Sequence, residues 1–177
     1  MAEVLANVTR LPMPGMVLIR ARDQVAQAAA AALAMDLPAT GRFVSDDQRR
    51  LLWMSPDEML LICPLSDTPQ AVASLNDALA GQFALVADVS DMRALFAVEG
   101  GRATQALAKL MPVDFEALPD DGVRRTRAGQ VACAVWRETP DDARGQNLRL
   151  ICFRSVAGYM AEALSGAARH GAALDPR

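Results

Sequence analysis

Few side chains in this sequence have the chemistry of a catalyst, and none stands beside the partner it would need. The one histidine, His170, lies near the C-terminal end, where an imidazole reads as solvated. Without it no Ser-His-Asp or Cys-His set can be built. Cys63, Cys133 and Cys152 each sit in an apolar, strand-like run and form no CxxC pair. They read as buried reduced thiols, neither clustered zinc ligands nor a disulfide framework. Asp46-Asp47, Asp120-Asp121 and Asp141-Asp142 are carboxylate pairs of the type that binds hard cations, but loop settings make them turn residues or solubilising charge.

Three further groups carry possible chemistry. Gly100-Gly101 opens a helix and could offer N–H groups to an anion. No GxGxxG or GKS/T pattern follows, so a tight strand-to-helix turn is the better reading. Arg124-Arg125-Thr126-Arg127 is the densest basic run. On a strand, Arg125 and Arg127 share one face, and Arg124 and Thr126 the other. A solvated strand is the ordinary outcome, and among functional uses a salt-bridged protein interface is preferred to a phosphate site. Asp88, Ser90 and Asp91, in the run Val86-Ala87-Asp88-Val89-Ser90-Asp91, are acid-base residue types. At a strand junction, short polar side chains instead bond nearby backbone and fix the turn. No catalytic, cofactor-binding or metal-ligating residue is assigned.

These groups must be carried by a chain of 177 residues and 18.9 kDa. That is enough for one domain, or two small halves, to bury a core without disulfides or metal. The hydrophobic fraction is 52% but rich in alanine, and aromatics are only 5%. Trp53, Trp136, Phe96 and Phe153 should therefore dominate local packing. A net charge of −3 and a pI near 5.1 argue against a general nucleic-acid binder. No signal peptide or membrane span is read, and a cytoplasmic location is expected.

Periodicity predicts a loose N-terminal arm over 1–14, one domain over 15–170 with pseudo-halves of about 15–90 and 91–170, and a tail over 171–177. The first half reads as a strand at 16–20, a helix at 23–36, and a hairpin of strands 50–54 and 59–63 around Ser55-Pro56-Asp57-Glu58. A helix capped by Thr68-Pro69 and a strand at 82–89 complete it. The second half reads as a strand at 92–98, a helix at 101–110, strands near 123–128, 130–137 and 147–153, and a helix capped by Ser155. Tyr159, Met160 and Leu164 are among the inward positions of that last helix. A polar loop spans 138–145, and Gly171 ends the final helix. The order β-α-β-β-α-β, then β-α-β-β-β-α, gives an α+β class: two split β-α-β halves with largely antiparallel sheets.

Several stretches, in order between about residues 42 and 167, together resemble the gamma subunit of heterotetrameric sarcosine oxidase. They are Leu52 to Leu61, the VADVSD corner, the helix after Gly100, Pro112-Val113-Asp114-Phe115, Arg125-Thr126 and Phe153-Arg154-Ser155. That family is similar in fold to the folate-binding domain of the glycine-cleavage T-protein. The resemblance implies a non-catalytic assembly subunit in a complex that demethylates sarcosine to glycine, passing one carbon to tetrahydrofolate. It implies alpha, beta and delta partners, chiefly alpha, with FAD, FMN, NAD, tetrahydrofolate and zinc all held by other subunits. Two alternatives are a stand-alone folate-binding or aminomethyltransferase-like protein, and the equivalent subunit of an N-methyl amino-acid dehydrogenase complex. The chain is under half the length of a complete T-protein and has no match to its aspartate-bearing glycine-rich segment, which weakens the first.

Overall fold

The computed structural model describes residues 4–138 and 146–169. His170, Asp141-Asp142, Gly171, the tail and nearly all of the 138–145 loop lie outside the described residues. The chain divides into two compact units, Met13–Asp91 and a second assembled from Met1–Pro12 and Met92–Arg177.

The Met13–Asp91 unit is built on a central pair of strands, β2 (Gly15–Arg20) and β5 (Glu58–Cys63). Val17, Ile19, Met59, Leu61 and Cys63 alternate onto one face, as the two-residue period of a strand requires. Helices α1 (Asp23–Ala32) and α2 (Thr68–Ala78) cover that face through Ala26, Ala29, Ala30 and Leu75. Leu60 and Ile62 on the opposite face are buried too, so all six residues of β5 are buried and the five after Glu58 form a continuous apolar run. Beside β5 lies β4 (Arg50–Ser55), joined to it by the expected hairpin through Pro56-Asp57. The edges are β3 (Phe43–Ser45) and β6 (Leu85–Asp88), giving the antiparallel order β3-β4-β5-β2-β6. This is the split β-α-β arrangement with one short strand added at an edge.

The other unit repeats the plan with a substitution. Its sheet has the order β1-β7-β10-β9-β8, from β7 (Arg93–Gly100), β8 (Val123–Ala128), β9 (Val131–Arg137) and β10 (Gln146–Phe153). The outer strand beside β7 is β1 (Asn7–Arg10). The N-terminal segment is therefore not a loose arm. Leu5 and Ala6 are buried in this unit's core, Leu5 donates its N–H to Ala168 at 2.8 Å, and Asn7–Arg10 pair with Glu99–Phe96. Without these residues β7 would be an edge strand, and the N-terminal segment pairs with it. Helices α3 (Ala103–Ala108) and α4 (Ala157–Ala167) bury Ala106, Leu107, Met160 and Leu164 against Phe96, Val98, Leu148 and Leu150.

Local corrections follow from chain ends that sequence under-specifies. The α1 helix stops at Ala32, not at 36, because Ala34 takes φ +53°, with Ala34 N–H donating to Ala31 and Met35 N–H to Ala30. This is a Schellman closure with alanine where glycine is usual. Neither Thr68 nor Ser155 caps a helix. Thr68 is already helical and buried, and Ser155 lies in a 3₁₀ turn before α4. Tyr159 faces outward, 54% exposed, and Phe153 is also exposed, with the Arg93 guanidinium 4.4 Å from its ring centre. Trp136 and Phe96, in contrast, are fully buried.

Candidate functional site

The polar corner after β6 is structural. The Ser90 hydroxyl donates to Asp88 Oδ1 at 2.6 Å, and Ser90 N–H donates to the same oxygen at 2.9 Å. The same hydroxyl accepts the buried Met16 N–H at 2.9 Å, while Val89 N–H donates to Met16 C=O at 2.8 Å. Ser90 thus extends the β2–β6 ladder one step beyond the strand by replacing a main-chain acceptor with a hydroxyl. The expected turn-fixing role of Asp88 and Ser90 is what the geometry shows. Asp91 is exposed at the same corner.

The thiols are buried in two cores, and burial pushes all three up, Cys133 to about 11. A neutral thiol is a poor nucleophile and a poor metal ligand. Cys133 and Cys152 face each other across β9 and β10. Among the described residues, no group of three His, Cys, Asp or Glu side chains could hold a metal ion. Asp46 is tied to Arg49, whose Nε donates at 2.8 Å and whose second nitrogen lies 2.6 Å away. These bonds hold the carboxyl below its usual range. Asp120 and Asp121 are exposed in the loop before β8.

Gly100 has a use other than anion binding. It sits at φ +144°, and a Cβ there would lie 3.1 Å from Ala6 Cα and 3.2 Å from the Leu5 carbonyl. Glycine allows the N-terminal segment to cross the end of β7. The α3 helix behind it has only six residues. Arg124, Arg125 and Arg127 are all exposed on edge strand β8.

One concave feature was not foreseen. A cleft of about 560 Å³ is lined by Arg20, Ala21, Arg22, Asp23, Val25, Asp57, Phe83, Ala84 and Leu85. Arg20 donates to the buried Glu58 carboxylate at 2.8 Å, directly across the β2–β5 pair, and lies 3.5 Å from Asp57. The Ser55 hydroxyl donates to Asp57 at 2.8 Å, and with Arg20 and Arg22 nearby it holds that carboxyl below the usual range. Phe83 is fully exposed, and Leu85 half exposed. Sequence gave one hint: Glu58 opens an otherwise apolar strand, which demands a cationic neighbour. A second cavity, of about 360 Å³, lies against Leu33, Arg49, Cys63 and Asp67.

The Ser90 hydroxyl and the Asp88 carboxylate, the reactive residue types that do meet, are both engaged in the β2–β6 junction. The fold is that of a two-unit α+β protein of the T-protein type. The glycine cleavage system aminomethyltransferase T from Bartonella henselae superposes with a TM-score of 0.66 at 15% identity, over 91% of this chain and 45% of that one. The chain belongs to the sarcosine oxidase, gamma subunit family, whose profile matches residues 20–169. The sarcosine oxidase subunit gamma of Corynebacterium sp. (strain U-96) is 32% identical over 115 residues. That match covers 62% of this chain and spans only 55% of the relative's length. A chain of the heterotetrameric sarcosine oxidase from Corynebacterium sp. U-96, solved with pyrrole 2-carboxylate, superposes with a TM-score of 0.85 at 24% identity, over 97% of this chain and 88% of that one.

Proposed function

We propose that this chain is the non-catalytic gamma subunit of a heterotetrameric sarcosine oxidase, packed chiefly against the alpha subunit and working in the cytoplasm. The complex would demethylate sarcosine to glycine and pass the one-carbon unit to tetrahydrofolate. FAD, FMN, NAD, tetrahydrofolate and zinc would be held by the alpha, beta and delta subunits. The observation that carries this reading is family membership over residues 20–169. It is supported by residues that look reactive in sequence but are spent on structure: Ser90 and Asp88 on a strand junction, and three thiols kept protonated by burial. The test is co-expression with the alpha subunit followed by size-exclusion chromatography. Stoichiometric co-elution is expected, and separate elution of both chains would overturn the reading.

A second reading draws on the T-protein-like fold: a stand-alone folate-binding or aminomethyltransferase-like one-carbon protein. It requires saturable tetrahydrofolate binding by the isolated chain, and a calorimetric titration without heat removes it. Membership of an N-methyl amino-acid dehydrogenase complex would show as preference for another substrate in the assembled enzyme.

A further inference from the structure

Strand β6 is an edge of its sheet, paired with β2 on one side alone. The Val89 N–H···O=C Met16 bond fixes the phase of that ladder. Bonded pairs alternate along an antiparallel ladder, so Ala87 and Leu85 turn their main-chain groups toward Leu18 and Arg20. The N–H and C=O of Val86 and Asp88 consequently point away from the sheet, a template for a further strand.

At the start of this edge, Phe83 and Leu85 form an exposed apolar step beside the cleft. Exposed aromatics next to a concave surface are the residue types that anchor protein interfaces. The rim adds charge. Arg20 is paired with both Glu58 and Asp57, whereas Arg22 is 72% exposed and lies 3.8 Å from Asp57, a carboxylate it shares with Arg20. Arg22 therefore keeps donors for a carboxylate from outside. Asp23, at φ +52° on the same rim, places a negative charge beside it and disfavours a strongly acidic visitor.

We infer that β6 and the Phe83–Leu85 step are the docking site for an extended, mainly apolar segment of the alpha subunit carrying a carboxylate for Arg22. This rests on the assembly reading above. The segment adds a strand to β6 through Val86 and Asp88, covers Phe83, and sets its carboxylate against Arg22.

The test is co-expression with the alpha subunit and a measured dissociation constant for Phe83→Asp, Arg22→Glu and, as a control at another exposed apolar position, Leu65→Asp. Phe83→Asp is expected to bind about thirtyfold more weakly and Arg22→Glu about tenfold. Leu65→Asp is expected to bind as the parent does. Phe83 is exposed, so the melting temperature of the isolated chain should not move. Parent-like binding by Phe83→Asp and Arg22→Glu overturns the inference while leaving the assembly reading intact. A parent chain that does not bind the alpha subunit overturns both. A homodimer of the isolated chain dispersed by Phe83→Asp, with alpha binding unaffected, also overturns it in favour of a second copy as occupant.

Discussion

Replacing Ser90 by alanine tests how the VADVSD corner is built. The substitution removes one oxygen that makes two bonds, accepting Met16 N–H at 2.9 Å and donating to Asp88 at 2.6 Å. Met16 is completely buried, so its N–H is left without a partner and without access to water. An unsatisfied buried donor costs about 1–3 kcal/mol. The Asp88 side is cheaper. Asp88 is exposed and can turn to solvent, so the loss of that bond contributes at most about 1 kcal/mol. The sum is about 1–4 kcal/mol, which at about 2–4 °C per kcal/mol for a chain of this size lowers the melting temperature by roughly 2–16 °C. Asp88→Asn keeps an acceptor for both Ser90 donors and should cost under about 1 kcal/mol. Urea titration of the two variants beside the parent separates the terms. A Ser90→Ala midpoint equal to the parent's, or an Asp88→Asn loss as large, would refute the hydroxyl's role as a ladder acceptor.

Deleting residues 1–10 should destabilise the unit containing Phe96 and Trp136, because it uncovers the β7 edge and removes buried Leu5. Hydrogen exchange should then rise along β7, and unchanged protection would mean the segment is dispensable. Gly15→Ala places a Cβ 2.0 Å from Thr68 Oγ1 and 3.0 Å from the Pro64 carbonyl, a clash expected to cost about 1–3 kcal/mol. The double variant with Thr68→Ala should recover part of that loss, and simple additivity in a double-mutant cycle would count against the clash. Ala34→Gly, which relieves a left-handed alanine at the end of α1, should raise stability by about 0.5–1 kcal/mol. A lower melting temperature would contradict that account of the helix end.

Local patterns were legible where the residues that decide them are neighbours. The hairpin from Arg50 to Cys63 followed from Pro56 at a turn between apolar runs, and the bonds of Asp88 and Ser90 from short polar side chains at a junction. The α+β class and the paired β-α-β halves followed from element order. What escaped depended on distant partners. Asn7–Arg10 has little apolar character of its own and is a strand because β7 offers an open edge. Ala34 ends a helix without glycine, so nothing in the sequence marks the stop. The unforeseen cleft needs Arg20, Asp57 and Phe83, which only β2, the hairpin turn and the approach to β6 bring together. At the corner, Asp88 and Ser90 make the local bonds expected of short polar side chains, whereas His170 and Asp141-Asp142 lie outside the described residues.

The most direct test of the account is sarcosine-dependent hydrogen peroxide formation, measured for this chain alone and for alpha, beta and delta subunits expressed with and without it. The account expects no turnover by the isolated chain, and loss of assembled, active complex when it is omitted. Turnover by the chain alone, or a complex of full activity formed without it, would contradict the claim that it works by holding others together.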